Sequence, residues 1–444
     1  MKLAYPILIA QLIQNLMGFA DTVMAGRVSA TDMAAVAVAS SVWLPLILAI
    51  SGLIMALASI ISQLSGANQF DNIAKASYQT AWIAVFFSII IIILYYIATP
   101  LLIDSIAMEP ELKQLMFDYL GYIVWGGPGY CLYLVLRNYS EGLSFSRPTM
   151  IISILGLLIN IPANYIFIYG EFGMPALGGA GCGLATAIVY WVMFAGMLAY
   201  AYYSKHLKQA PLFTKFYWPQ WSEIKVILAL GTPIAFSLLF EVSLFAAVAI
   251  ILIPFGANVV ASHQIAINFS GLVFMVPLSL AMAVTIKVGF EVGNKNLEKA
   301  KELCRYSVIL GLIIAVATAA ATLIFKTQIA AIYTSDTEVL ELAAGLMFLA
   351  ALFQFSDAIQ VISAGALRGY KDTKSILYIT FFSYWVVGLS FGLILGLTDW
   401  IAPASGPYGF WIGFISGLTV AAVLLAWRLK VVQNRFDQQA ALAS

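Results

Sequence analysis

The chain has little charge: Asp, Glu, Lys and Arg together make up 10% of its 444 residues. A water-soluble domain carries about 25%, so that class is excluded. Histidine is scarcer still, with His206 and His263 far apart, and the three cysteines, Cys131, Cys182 and Cys304, are equally scattered. Neither a zinc site nor a disulfide framework assembles from such a set; the cysteines read as small packing residues. No HExxH and no GxSxG is present, so an intramembrane hydrolase lacks its signatures, and the chain reads as a non-enzyme without a cofactor. A net charge of +1 gives no footing for nucleic acid. The glycine-rich GGAGCG (178–183) has no strand before it and no Lys after it, so it is not a phosphate loop. The small-xxx-small spacing of Gly179 and Gly183 fits close helix approach instead.

What the chain has is apolar length. It is 62% hydrophobic, with a mean hydropathy of +0.95. Apolar stretches of about 20 residues, the span of a membrane-crossing helix, recur throughout. The reading is an all-α integral membrane protein with twelve transmembrane helices: 4–26, 33–62, 77–103, 114–137, 148–170, 177–203, 224–254, 260–287, 304–328, 340–365, 375–397 and 407–430. The opening MKLAYPILIAQLIQ runs on too far for a signal peptide and reads as the first span. Of the 22 lysines and arginines, only Arg27, Lys113 and Lys326 fall in loops of one side. The rest, Arg137 and Arg368 among them, fall on the other. By the positive-inside rule both termini are cytoplasmic.

The chain is also written twice. A shift of 227 residues carries Pro6 onto Pro233, Ala34 onto Ala261, Met55 onto Met282 and Gly66 onto Gly293. Further on the matches drift, with Leu143 on Leu367, Thr149 on Thr373 and Gly181 on Gly409. Six spans per half means both halves enter from the same side. Parallel repeats imply two six-helix lobes related by a pseudo-two-fold axis along the membrane normal, with the substrate site near mid-bilayer. The polar junction 204–223 divides the chain into lobes 1–217 and 218–444.

Three carboxylates, Asp21, Glu241 and Asp357, interrupt apolar runs that contain no base. An acid at a helix centre in lipid costs about 2.5–3.5 kcal/mol on insertion scales, and such residues normally face a polar path for ion or substrate. No Lys or Arg falls at comparable depth, which argues against static salt bridges. Asn160 and Asn164 lie one helical turn apart on one face, and Thr186 lies in the next span. With Asp21 they offer an oxygen cluster suited to a small hard cation such as Na⁺; the same acid can instead take a proton. Gln264 is a further polar candidate, for cavity lining or a structural hydrogen bond. Tyr130, Tyr133, Phe353, Phe355, Tyr384 and Trp385 are candidates for apolar walls that hold an organic cation by its charge, although most aromatics in a bundle simply pack.

The segment PILIAQLIQNLMGFADTVMAGRVSATDMAAVAVASSVWLP (6–45) resembles the start of the multidrug and toxic compound extrusion (MATE) transporters, their NorM-like branch in particular. The resemblance continues through LSGAN (64–68), SFSRPTMIISILGLLINIPANYIFIYG (144–170), LGGAGCGLATAIVYW (177–191), FEVSLFAAVAI (240–250), ASHQIAINFSG (261–271) and SDAIQVISAGALRGYKDT (356–373). The chain starts within a few residues of the first span, where the family carries a short tail. The resemblance implies a monomeric secondary transporter of two six-helix lobes. It would export small cationic drugs or dyes in exchange for Na⁺ or H⁺, by alternating access. It also implies that Asp21, Asn160, Asn164 and Thr186 form the polar site of the first lobe, and Glu241 and Asp357 the cation site of the second. The Na⁺ candidates are Asp21, Asn164, Glu241 and Asp357. The rival reading is a lipid-linked oligosaccharide or lipid II flippase of the same architecture, whose clefts carry bases for pyrophosphate where this chain carries acids. A major facilitator is disfavoured by the missing basic loop between spans 2 and 3. A membrane enzyme is disfavoured by the missing motifs.

Overall fold

The long helices follow from composition. In hydrocarbon every backbone N–H and C=O must be satisfied within its own segment, which leaves an apolar chain the α-helix. The computed structural model describes residues 2–105 and 109–443; Met1, 106–108 and Ser444 lie outside the described residues. Among the described residues there is no strand, and eleven helices are long and apolar enough to cross a membrane.

In chain order the helices are α1 (Ala4–Gly26), α2 (Ala30–Gly66), α3 (Phe70–Ser105), α4 (Pro110–Ile123), α5 (Gly127–Gly142), α6 (Arg147–Tyr169) and α7 (Ala180–Tyr203). They continue with α8 (Trp221–Ile251), α9 (Ala257–Gly293), α10 (Leu297–Tyr333), α11 (Thr337–Gly369), α12 (Thr373–Phe381), α13 (Leu389–Leu397) and α14 (Pro407–Ala443). The fourth expected span, 114–137, is α4 and α5 joined through a 3₁₀ turn at Val124–Gly126. The span expected at 375–397 is α12 and α13 joined through a π-helical turn at Phe382–Gly388. At 37 residues each, α2, α9 and α10 reach about 55 Å at 1.5 Å per residue, well beyond a hydrocarbon core of about 30 Å.

The chain forms two compact units, Lys2–Ala235 and Phe236–Ser444, which divide within α8. The sequence repeat is visible in the helix limits. The 227-residue shift carries Ala30 onto Ala257 and Gly66 onto Gly293, Phe70 onto Leu297, Pro110 onto Thr337, Gly142 onto Gly369 and Ala180 onto Pro407. It also matches the turns. Asn68 and Lys295 both have positive φ, as do Ser144 and Lys371. Each such turn closes on an N–H to a carbonyl five residues back: Gln69 to Leu64, Asn296 to Glu291, Phe145 to Ser140 and Asp372 to Leu367. That is the Schellman ending, which satisfies carbonyls a helix otherwise leaves open. The drift read from sequence at Leu143 and Leu367 is therefore corrected. The backbone register still holds there, and Ser144 answers to Lys371.

Within the first unit, fully buried Ile54, Leu57 and Ile61 on α2 pack with Ile123 and Tyr139. Small residues let backbones meet. A Cβ on Gly183 would lie 2.5 Å from the Tyr119 carbonyl oxygen, and one on Gly181 would lie 2.6 Å from that of Phe167. The GGAGCG segment is thus a contact of α7 with α4 and α6, as its spacing implied. The first part of α8 belongs to this unit too: Ile227 and Ala235 pack with Leu53, Ile60 and Ile83. In the second unit α11 runs against α9 closely enough that a Cβ on Gly365 would lie 2.5 Å from the Ala281 carbonyl oxygen.

Candidate functional site

Each unit holds its own buried polar cluster. In the first, Asp21 sits late in α1 at 5% exposure, and Asn160 and Asn164 on α6 are fully buried. Pro162 falls between the two asparagines and has no N–H to give the carbonyl one turn back, which loosens the helix there. Asp21 Oδ1 accepts from Asn164 Nδ2 at 2.6 Å and from Asn160 Nδ2 at 3.2 Å. Oδ2 accepts from Thr186 Oγ1 at 3.0 Å. Asn164 Nδ2 also reaches Asn160 Oδ1 at 3.1 Å. The four residues singled out in the sequence are therefore one hydrogen-bonded group, drawn from three helices.

A second acid holds that group in place. Asp32 caps the start of α2 through Ser29, whose Oγ accepts from Asp32 N at 2.9 Å and donates to Asp32 Oδ2 at 2.6 Å. Its other oxygen accepts from Gly179 N, just before α7. Gly178 has φ +57°, and a Cβ there would lie 2.4 Å from Asp32 Oδ1, so glycine is required on both counts. This pins the start of the helix that presents Thr186. Within the cluster the unpartnered atom is an acceptor, Asn164 Oδ1. Donors already surround the carboxylate; what the group lacks is a positive or proton-bearing partner.

In the second unit Asp357 on α11 is 3% exposed, and Glu241 on α8 is half-buried. They line separate small cavities. Asp357 shares a small cavity, with room for about one water, between α9, α10 and α11 with Ser270, Thr318 and Gln354. Ser270 Oγ and Gln354 Oε1 are buried there without a partner, while Gln354 Nε2 donates to Thr322 Oγ1 at 3.0 Å. Every acceptor facing this space is oxygen, the donor type hard cations prefer. Glu241 lines a second small cavity with Leu244, Phe245, Tyr384 and Leu418. Tyr384, in the π-helical turn, is 2% exposed and its hydroxyl has no partner.

One expectation is corrected. Arg368, assigned from sequence to a loop, lies inside α11 at 5% exposure, with Nε and Nη1 unpartnered. Its charge acts on Glu241, and that of Glu241 acts on Asp357. A buried base therefore does act on Glu241, yet none of the ion pairs among the described residues includes Glu241, Asp357 or Arg368. Arg137 is likewise buried inside α5, at 4%, but it is paired with Glu141 at 2.8 Å. The repeat relates the two arrangements: it carries Gln14 onto Glu241 and Glu141 onto Arg368. The first unit closes its buried base within one helix. The second leaves two acids and one base without an ion pair, Glu241 on α8 and Asp357 and Arg368 both on α11, one acid more than it has bases.

Gln264 is exposed on α9 and has no hydrogen bond to Glu241 or Asp357 among the described residues. Of the candidate aromatics, Tyr130 stacks on Tyr190 at 4.5 Å, Phe353 packs on Trp411 at 6.1 Å, and Trp385 Nε1 donates to the Phe240 carbonyl at 3.2 Å. Sequence reasoning missed Gln14, Ser270, Gln354 and the depth of Arg368. The repeat held the signal for the last, since its counterpart Glu141 sits inside an apolar helix. No group of three or more His, Cys, Asp or Glu among the described residues is placed to hold a metal ion. The Asp21 and Asp357 clusters each offer one acid with neutral oxygens.

Comparison with known proteins agrees with this fold. The MatE family model matches residues 6–166 and 233–394, once in each half. "Multidrug resistance protein MdtK" of Photorhabdus laumondii is 51% identical over 438 residues, 99% of this chain and 96% of that protein. "Probable multidrug resistance protein NorM" of Shewanella oneidensis is 49% identical over 433 residues, covering 98% and 94%. Among solved structures, "Outward-facing conformation of a multidrug resistance MATE family transporter of the MOP superfamily" superposes with a TM-score of 0.87 at 22% identity, covering 98% of this chain and 96% of that one. "Crystal structure of eukaryotic MATE transporter AtDTX14" superposes with a TM-score of 0.85 at 18% identity, covering 99% and 97%.

Proposed function

The chain belongs to the MatE family, and from that premise we propose that it is a multidrug efflux transporter exporting lipophilic organic cations in exchange for Na⁺ or H⁺. A family of transporters places it outside the enzymes, with no cofactor to bind. It works as a monomer in the bacterial inner membrane with both termini cytoplasmic, a topology supported by the one-sided bases of its loops. The observation that carries the exchange is the second unit's unbalanced charge: Glu241 and Asp357 against Arg368, with partnerless oxygens of Ser270 and Gln354 beside Asp357.

A buried carboxylate without an ion pair is costly, and a cation that reaches it relieves that cost. Organic cation and coupling ion compete for the same negative charge, and the competition makes exchange obligatory. Asp357 would hold Na⁺ with neutral oxygens, and Glu241 would share the charge. Asp21 with Asn164 Oδ1 is the matching place in the first unit, for Na⁺ or a proton. One-for-one exchange of monovalent cations is electroneutral. A second coupling ion adds the membrane voltage, about 2.3 kcal/mol per 100 mV. A flippase for anionic pyrophosphate lipids would need free buried bases, whereas Arg137 is already neutralised by Glu141 and Arg368 is outnumbered.

The test is ethidium efflux from proteoliposomes under an imposed Na⁺ gradient and, separately, a pH gradient. Glu241→Gln and Asp357→Asn are each expected to abolish efflux driven by the coupling ion while the protein still inserts. Efflux at the wild-type rate in both variants, at matched protein per vesicle, overturns the reading.

A further inference from the structure

Between α7 and α8 the chain does not hang as a loose tether. Residues 204–220 form an irregular strap whose one helical piece is a 3₁₀ turn, Lys205–Leu207. Its inner side is fixed to the first unit. Leu207, Ala210 and Leu212 are buried at 2%, 1% and 6%. The Tyr139 hydroxyl donates to the Ala210 carbonyl at 2.6 Å, Gln79 Nε2 to that of Trp218 at 2.9 Å and Trp82 Nε1 to that of Tyr217 at 3.1 Å. Gln220 N donates back to Gln79 Oε1 at 2.8 Å. Trp82 stacks on Trp218 with an interplanar angle of 12°.

The outer side carries two kinds of group. Lys205, Lys208 and Lys215 on the strap and Lys225 at the start of α8 are all exposed. No Asp or Glu occurs between Glu171 and Glu223, and Glu223 is engaged by Lys75 at 2.9 Å, so none of the four has an acid within the strap to offset it. Beside them Tyr203, Phe216, Trp218 and Trp221 are 79%, 52%, 71% and 62% exposed. Two of the ammonium groups sit over aromatic faces: Lys215 Nζ is 5.5 Å from the Tyr217 centroid and Lys225 Nζ 5.4 Å from that of Trp221.

Depth follows from the backbone. An irregular segment leaves N–H and C=O groups that hydrocarbon cannot satisfy, so the strap lies at the headgroup level and not among the tails. Exposed Trp and Tyr favour the same level. At that depth uncompensated lysines meet lipid phosphates, and clusters of juxtamembrane lysine attract anionic leaflets.

We propose that the strap, together with the start of α8, is a docking surface for anionic phospholipids, its four lysines gripping headgroup phosphates while its exposed aromatic side chains seat against the glycerol and upper chain region. The hydrogen bonds on its inner side hold the lysines in place beforehand, so little ordering is needed on binding. The strap runs directly into α8, whose first part packs on this unit: Ile227 is 3% exposed, and a Cβ on Gly231 would lie 2.4 Å from the Leu53 carbonyl oxygen. A bound headgroup therefore also steadies the start of α8.

The test uses the full chain in phosphatidylcholine vesicles containing a fixed minor fraction of brominated phosphatidylglycerol or brominated phosphatidylcholine. Bromine quenches nearby tryptophan. The strap signal is the difference between the wild type and Trp218→Phe/Trp221→Phe. Brominated phosphatidylglycerol is expected to quench that signal about fivefold more effectively at low salt, the preference that about one lysine's worth of attraction provides. The preference is expected to fall as salt rises and to vanish in Lys205→Gln/Lys208→Gln/Lys215→Gln/Lys225→Gln, with the far-ultraviolet circular dichroism unchanged. Equal quenching by the two lipids in the wild type overturns the proposal. So does a preference that survives in the quadruple variant. Loss of the preference on adding millimolar inorganic phosphate, at constant ionic strength, would assign the lysines to a soluble anion instead and would overturn it too. Transport plays no part in the readout, so the result stands apart from the coupling mechanism.

Discussion

At the scale of single residues, the strength of each contact sets its expected cost. Asn164 makes the shortest hydrogen bond to Asp21, 2.6 Å, and also bridges to Asn160, whereas Asn160 reaches the acid at 3.2 Å. Deleting a buried donor to a charged acceptor costs about 1.5–3 kcal/mol. Asn164→Leu is therefore expected to lower thermal stability in detergent more than Asn160→Leu, and the reverse order would count against a charged Asp21. Arg368 gives a different kind of prediction. Its positive charge acts on Glu241 without pairing to it, so it opposes any cation that binds there. Arg368→Gln is expected to lower the half-saturating Na⁺ concentration for ethidium efflux, about tenfold for each 1.4 kcal/mol of repulsion removed, while Arg368→Lys stays near wild type. An unchanged value in the Gln variant would remove Arg368 from the site. Tyr384→Phe deletes the partnerless hydroxyl beside Glu241; a weaker apparent Na⁺ affinity with unchanged stability is the expected sign that this oxygen serves the ion.

At the scale of helices, contacts depend on where a Cβ has room. On Gly183 it would press on the Tyr119 carbonyl oxygen at 2.5 Å, whereas on Gly18 it would meet nothing within 4 Å. Gly183→Ala is expected to destabilise by about 1–3 kcal/mol through overpacking. Gly18→Ala is expected to be neutral or mildly stabilising, since alanine favours the helix by about 1 kcal/mol. A thermal-unfolding comparison of the two variants decides the matter, and equal midpoints would contradict the close packing of α7 on α4. The helices themselves were legible from apolar runs, because lipid leaves the backbone no alternative. Their interruptions were not. The 3₁₀ turn at Val124–Gly126 and the π-helical turn at Phe382–Gly388 leave no mark in hydropathy. They coincide with close contacts across neighbouring helices, of Gly126 with Ala187 and of Gly388 with Gly413 and Gly417. Nor did the hydropathy of α11 disclose that Arg368 ends up inside it, since a base near a helix terminus reads as solvated until its neighbours are known.

At the scale of the whole molecule, the division of the chain has a consequence for fragments. The sequence places the lobe boundary at 217/218, in the polar junction, while the compact units divide at Ala235 and Phe236. The residues between carry Ile227 and Ala235, which pack with Leu53, Ile60 and Ile83, and Glu223, which pairs with Lys75. A fragment of residues 1–235 is expected to persist in membranes longer than one of residues 1–217, as read by pulse-chase; equal lifetimes would show that this packing adds nothing to the first unit. What the sequence determined alone was everything that follows from solvent and period: helices, since lipid forbids unpaired backbone; their number; the double writing; and the acids that stand out because lipid penalises them. Which polar groups meet was decided by the tertiary structure. Asp21 finds Asn160, Asn164 and Thr186 across more than a hundred residues, and Arg368 is buried where its charge acts on Glu241. Such meetings depend on helix rotation and close glycine contacts, and a one-dimensional pattern of polarity does not encode the angle at which two helices face each other.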